Sequence, residues 1–243
     1  MSRTLGVIVA RGNSKRIPRK VVRPLLGAPL ISWVGNAAKA SHLDRVIVST
    51  EDTKIAEEAT KWGMDVPFIR PEELAGDFIC PEDVLIHALQ VIEAQGVKYD
   101  NVALIQPTAP FITGDSINLC LEEMKETNTA CCFLARQVSE LPQWMFKENS
   151  EGYVELIIEG ELSGSRQHTQ LVEPAYIPAG AVWVVRKDIL LTKKKIYVSP
   201  MKKIILPREY AVDIDEEYDF VIAEAIAHHY HFIPPKIIED KPR

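Results

Sequence analysis

Up to Arg136 the chain repeats one pattern: a short apolar run, then a stretch whose apolar residues recur at helical spacing. Leu5 to Val9 is followed by Leu30 to Ala40, and Arg45 to Ser49 by a segment from about Thr53 to Trp62. Asp83 to Glu93 carries Val84, Leu85, Ala88, Leu89 and Ile92 at helical intervals. A strand at Val102 to Ile105, a helix near Asp115 to Lys125 and a strand around Ala130 to Leu134 continue the rhythm. Such alternation constrains the fold to an α/β architecture: a mostly parallel, Rossmann-like sheet with helices on both faces. Sheets of this kind place ligand sites at the carboxyl ends of their strands.

After Arg136 the rhythm breaks. Residues 139–178 are polar, lack sustained helical periodicity, and mix short β-like pieces such as Tyr153 to Ile158 with Gly and Pro. An irregular stretch of about forty residues is improbable inside a compact domain. The expectation is a single domain over residues 1–243 with a small β-rich dimerisation arm at 139–178. The core resumes with a strand at Ala181 to Val185 and a last helix from about Glu216 to His229.

With 243 residues, the chain can bury a substantial core. A formal charge of −6 argues against generic nucleic-acid binding. No apolar run reaches membrane-spanning length, and a cytoplasmic location without membrane partners is expected. The four cysteines form no CxxC pair and are read as small buried hydrophobes in a reducing compartment.

One segment stands against the acidic balance. Arg11, Lys15, Arg16, Arg19, Lys20 and Arg23 crowd the turn after the first strand, with no acidic residue among them. Gly12 lets backbone approach a ligand closely, and exposed N–H groups beside basic side chains suit phosphate oxygens. The turn is neither GxxxxGK[ST] nor GxGxxG, so P-loop and dinucleotide chemistry lose support. Near the other end, Asp213 and Asp215 flank Ile214. On extended backbone, i and i+2 share a face, so both carboxylates can converge on one cation of the Mg²⁺ type (or Mn²⁺). Asp215 could instead cap the last helix, whereas Asp213 has no such role.

The basic turn, Ala10-Arg11-Gly12-Asn13-Ser14-Lys15-Arg16-Ile17-Pro18-Arg19-Lys20, resembles the signature of the N-acylneuraminate cytidylyltransferase, or CMP-sugar-acid synthetase, family. The likeness continues at Leu25-Leu26-Gly27-Ala28-Pro29-Leu30-Ile31, Arg70-Pro71-Glu72-Glu73-Leu74-Ala75-Gly76-Asp77, Leu104-Ile105-Gln106-Pro107-Thr108-Ala109-Pro110 and Asp213-Ile214-Asp215. The resemblance implies transfer of CMP from CTP to the hydroxyl of a nonulosonic or Kdo-like sugar acid, with release of pyrophosphate. It assigns Arg11 and Lys20 to the phosphates and the leaving pyrophosphate. Ala10, Asn13, Ser14, Lys15 and Asp77 would line the nucleotide site. Gln106, Arg166 and Gln167 would face the sugar acid, and Asp213 and Asp215 would hold the metal. A homodimer is implied.

Several positions depart from that family. Val21 replaces an asparagine beside the nucleotide, and Gly76-Asp77-Phe78-Ile79-Cys80-Pro81 lacks the family's serines. Phe111-Ile112 and Ile177 stand where arginines are usual, and Ala179 where an asparagine is. Retained phosphate and metal groups beside altered recognition residues point to the same reaction on a different or smaller acid.

Overall fold

Leu5 and Val7 turn to one face of strand β1 (Thr4–Val9) and Ile8 to the other, and all three are fully buried. Burial on both faces explains why the run carries no polar alternation. The structure, a computed structural model, describes residues 2–158 and 173–237. After β1 come the two-residue strands β2 (Pro24–Leu25) and β3 (Ala28–Pro29), helix α1 (Leu30–Lys39), β4 (Arg45–Ser49) and α2 (Thr53–Lys61). Next follow α3 (Pro81–Glu93), β5 (Asn101–Ile105), α4 (Gly114–Glu126) and β6 (Cys131–Gln137). The chain continues through β7 (Phe146–Glu148), β8 (Val154–Leu156), β9 (Tyr176–Arg186), α5 (Lys187–Lys193), β10 (Met201–Ile205) and α6 (Glu217–Tyr230).

Among the described residues the main sheet has the order β10-β6-β9-β5-β1-β4. β1 lies parallel to both β4 and β5, and β10 lies parallel to β6. β9 runs antiparallel between β5 and β6, so it alone opposes the other five. The fold is therefore the mixed, mostly parallel α/β sheet that the alternation requires. Two buried layers cover it. Ile8, Val48 and Ile105 pack with Ile31 and Val34 of α1, Ile55 of α2 and Ile117 of α4. Val7, Ile47 and Leu104 pack on the other face with Leu85 and Leu89 of α3 and Leu190 of α5. Cys131 and Cys132 fall into opposite layers, as neighbours on a strand must, and Cys120 is buried too. Cys80 departs from the expected burial and is exposed at the start of α3.

The short strands β2, β3 and β7 have no counterpart in the periodicity reading, and neither do α5 and β10. β10 is an edge strand, Met-Lys-Lys-Ile-Ile, mostly exposed, so burial imposed little apolar pattern on it. Its lysines suit an unpaired edge. Within residues 139–178, β7 and β8 form a separate two-stranded hairpin, while Tyr176 to Pro178 already pair with β6 in the main sheet.

A third cluster positions the site. Ile17 from the basic turn packs with Leu30 and Trp33 of α1, Phe111, Ile214, and Phe220 and Ala223 of α6. Ile17 is 2% exposed and Ile214 is fully buried, so this cluster draws the first loop and the late Asp-Ile-Asp segment onto one surface. Phe111 meets Trp33 edge-on at 5.5 Å and stacks on Phe232 at 4.6 Å. It is a core residue here, not a pocket residue. Phe111→Ala is expected to cost about 3–5 kcal/mol, read as a lower denaturation midpoint at unchanged denaturant slope. A change below about 1 kcal/mol would contradict its role in joining these segments.

Candidate active site

At the carboxyl ends of β1 and β5 lies a cleft of about 560 Å³, within the usual range of small-molecule sites. Its walls include Arg11, Ser14, Lys15 and Lys20 from the basic turn, Asp77 from the loop before α3, Gln106 after β5, and Asp213 and Asp215. Most of the residues singled out from the sequence therefore converge. Two do not line this cleft. Ala10 is fully buried and contributes backbone, its carbonyl accepting from Arg70. Asn13 lines a shallower depression with Gly12, Pro18, Arg19, Glu51 and Asp52. Arg166 and Gln167 lie outside the described residues.

Lys20 is the joint of the arrangement. Only 7% exposed, it donates from Nζ to the carbonyl oxygen of Ile214 and, at 2.9 Å, to Oδ1 of Asp215. A buried ammonium needs such partners, because desolvation of an unpaired charge is costly. Arg16 approaches the other carboxylate oxygen of Asp215 at 3.5 Å. Burial opposes ionisation of Asp215, but the hydrogen bond and charge of Lys20, with Arg16, hold its carboxyl below the ordinary range.

Asp213 differs. Its surface is exposed to the cleft, yet desolvation by the protein atoms packed around it pushes its carboxyl up to about 6. A hydrogen bond with Thr108 opposes that rise, and the charge of Asp215 adds to it. Its carboxylate rests against bare backbone: Gly180 has φ +65°, and a Cβ there would lie 2.0 Å from Asp213 Oδ2. Two hard oxygen donors either side of a buried anchor, one of them destabilised as an anion, fit a divalent cation that relieves the burial of charge. Among the described residues no third His, Cys, Asp or Glu joins them. A cation there would complete its shell with water and substrate oxygens, as Mg²⁺ commonly does. The capping role of this segment falls to Glu216, whose side chain accepts from the first turn of α6 while Asp219 accepts from the N–H groups of Asp215 and Glu216.

Asp77 bridges two of the loop cations. Its carboxylate lies 3.3 Å from Nη1 of Arg11 and 2.7 Å from Nζ of Lys15. The hydrogen bond with Lys15, then the charges of Lys15 and Arg11, hold it below the usual carboxylate range. A phosphate group using these cations competes with Asp77 for them. Gln106 is fixed at the strand end by its own N–H, which donates to Ala181 O at 2.8 Å. Of the departures from the resembled family, Val21 lines the cleft while packing into the core, and Phe111, Ile112 and Ala179 are buried.

Sequence reasoning assigned no role to Arg70, Glu51 or Thr108. Arg70 lines the cleft at 3% exposure and pairs with Glu51. A charged residue closing the apolar Val66-Pro67-Phe68-Ile69 run was the available signal for Arg70. Glu51 lies just beyond Thr50 after β4, at the carboxyl end where parallel sheets place function.

The sequence matches the cytidylyltransferase family over residues 5–221. It is 30% identical over 225 residues to a pseudaminic acid cytidylyltransferase of Campylobacter jejuni, covering 92% of this chain and 96% of that protein. A CMP-N,N'-diacetyllegionaminic acid synthase of Legionella pneumophila is 30% identical over 226 residues, with coverage of 92% and 96%. In fold the chain is similar to a CMP:2-keto-3-deoxy-manno-octonic acid synthetase solved with CTP. The TM-score is 0.68 at 17% identity, over 94% of this chain and 100% of that one.

The Asp77 ion pairs carry a direct expectation. Asp77→Asn is expected to tighten binding of inorganic pyrophosphate about two- to fivefold, since solvent-exposed ion pairs hold the two cations only weakly against a competing anion. Isothermal titration checks this, and weaker binding by the variant would show that Asp77 assists the anion instead.

Proposed function

The chain belongs to the cytidylyltransferase family, and we propose that it transfers the CMP moiety of CTP to a hydroxyl of a nonulosonic or Kdo-like sugar acid, releasing pyrophosphate. The observation that carries this reading is the contact of Lys20 with Asp215, which makes one surface of the phosphate-binding turn and the paired aspartates. The relatives named for pseudaminic and legionaminic acids support the acceptor class.

In this reading the acceptor hydroxyl attacks the α-phosphorus in line. The bond from that phosphorus to the β-bridging oxygen breaks, pyrophosphate leaves, and the hydroxyl proton passes to solvent. Arg11, Lys15 and Lys20 supply positive charge where the departing pyrophosphate gains negative charge, so their stabilisation grows as the bond breaks. Ser14 adds a hydroxyl to the same wall. A divalent cation, Mg²⁺ (or Mn²⁺), held by Asp213 and Asp215 would supply Lewis-acid charge to the phosphates and acidify the acceptor hydroxyl. Gln106, beside Pro107 and Thr108, presents an amide to the acceptor; Arg166 and Gln167 are assigned to the same acid from the sequence alone. No protein nucleophile is needed.

The stretch 139–178 is proposed as an arm inserted into the single domain of residues 1–243, joining two copies of the chain. Its hairpin exposes Phe146, Tyr153 and Val154, and Ile157 and Ile158 follow, a concentration of apolar surface that suits a partner.

A pyrophosphate-release assay with the four nucleoside triphosphates and a panel of 2-keto sugar acids tests the reaction. Release with CTP and at least one nonulosonic or octulosonic acid is expected. Release only with another triphosphate and a sugar 1-phosphate would contradict the proposal. Lys20→Ala is expected to lower turnover by about 10²–10³, the cost of losing a preorganised charge at the leaving group, while circular dichroism remains that of the native fold. Unimpaired turnover would remove Lys20 from the mechanism.

A further inference from the structure

We infer that Glu51 is a positioning residue for the phosphate-binding turn, fixing the backbone at Gly12 so that Arg11 faces the cleft. The inference rests on the proposed use of that turn for a triphosphate. Glu51 lies just past the carboxyl end of β4, the parallel neighbour of β1. Its Oε1 accepts the N–H of Gly12 at 2.7 Å, and its other oxygen accepts from Nη2 of Arg70. Arg70 also donates from Nη1 to Ser49 O and from Nη2 to Ala10 O, each at 3.1 Å. One buried guanidinium thus ties the ends of two adjacent strands, and Glu51 passes that tie to the first bend of the turn.

Three features separate this from a generic surface ion pair. The Glu51 side chain is only 15% exposed, so its charge-assisted bonds are shielded from water. The glycine is required by space as well: a Cβ on Gly12 would lie 2.3 Å from Oδ2 of Asp52, the N-cap of α2. The Gly12 N–H, a natural phosphate donor in such a turn, is directed at Glu51 instead. Glu51 lines the depression behind the turn and not the cleft, so it acts through Gly12 and Arg11 and touches no reacting atom. The side chains ahead of it are held by exposed ion pairs with Asp77, which fix orientation weakly. The backbone anchor therefore sets where the cations point.

The test compares wild type with Glu51→Ala, Glu51→Asp and Glu51→Gln by titration with inorganic pyrophosphate and by KM and kcat for CTP. Losing a hydrogen bond to a charged group corresponds to roughly ten- to a hundredfold, so Glu51→Ala is expected to raise KM for CTP and weaken pyrophosphate binding by about that factor. Glu51→Gln keeps an acceptor for Gly12 but turns an amide N–H group onto Arg70, so it is expected to recover only part of the affinity, binding more tightly than the alanine variant and less tightly than wild type. Glu51→Asp keeps the charge opposite Arg70 but withdraws from Gly12. It is expected to behave like the alanine variant, and it carries the test should the alanine variant not fold. Unchanged KM and pyrophosphate affinity in the alanine or aspartate variants, or a loss confined to kcat, would overturn the inference. So would a glutamine variant no better than alanine. Wild-type protein binding neither pyrophosphate nor CTP would overturn the proposed function and this inference together, whereas wild-type binding shared by all variants overturns the inference alone.

Discussion

Lys20 and Asp215 are separated by 195 residues, yet the ammonium of one lies 2.9 Å from the carboxylate of the other. The contact is buried on the lysine side, and the carbonyl oxygen of Ile214 completes the ammonium's surroundings. Removing Asp215 would strand the lysine's charge in a poorly solvated place, which is costlier than breaking an exposed pair, whereas the Asp215 side chain keeps contact with solvent. The proposed chemistry depends on this joint, because it requires cations from the start of the chain and carboxylates from its end in one cleft.

Ordinary packing delivers that meeting. Ile17 and Ile214 enter the same apolar cluster, and Asp213 and Asp215, which flank Ile214, both line the cleft. Gly180 removes the side chain that would block Asp213, in a backbone conformation that favours glycine. The result is a site of opposed charges, with Arg11, Lys15 and Lys20 on one wall and Asp77, Asp213 and Asp215 among them. In such a site, the orientation of each cation matters as much as its presence.

Much of this was legible in the residues because it is encoded locally. β1, β4 and β5 are buried on both faces, so their apolar runs stand out, and the helices between them keep a clear apolar stripe. The basic turn was legible because so many cations in one short span, without an acid, need an explanation that folding alone does not supply. The antiparallel insertion of β9 was not legible, since a strand's direction depends on the path of the chain and leaves no mark on its composition. β10 was hidden because an exposed edge strand need not be apolar. Arg70 and Glu51 were hidden for a different reason. Their importance lies in partners on β1 and β4, and nothing in one charged residue reveals a partner as distant in sequence as Ala10 is from Arg70.

The most direct measurement is a crystal structure with CTP and Mn²⁺, the metal located by its anomalous scattering. The account predicts one anomalous peak within coordination distance of Asp213 and Asp215, and a triphosphate lying against Arg11, Lys15 and Lys20. A nucleotide bound away from the basic turn, or a metal held without either aspartate, would contradict it.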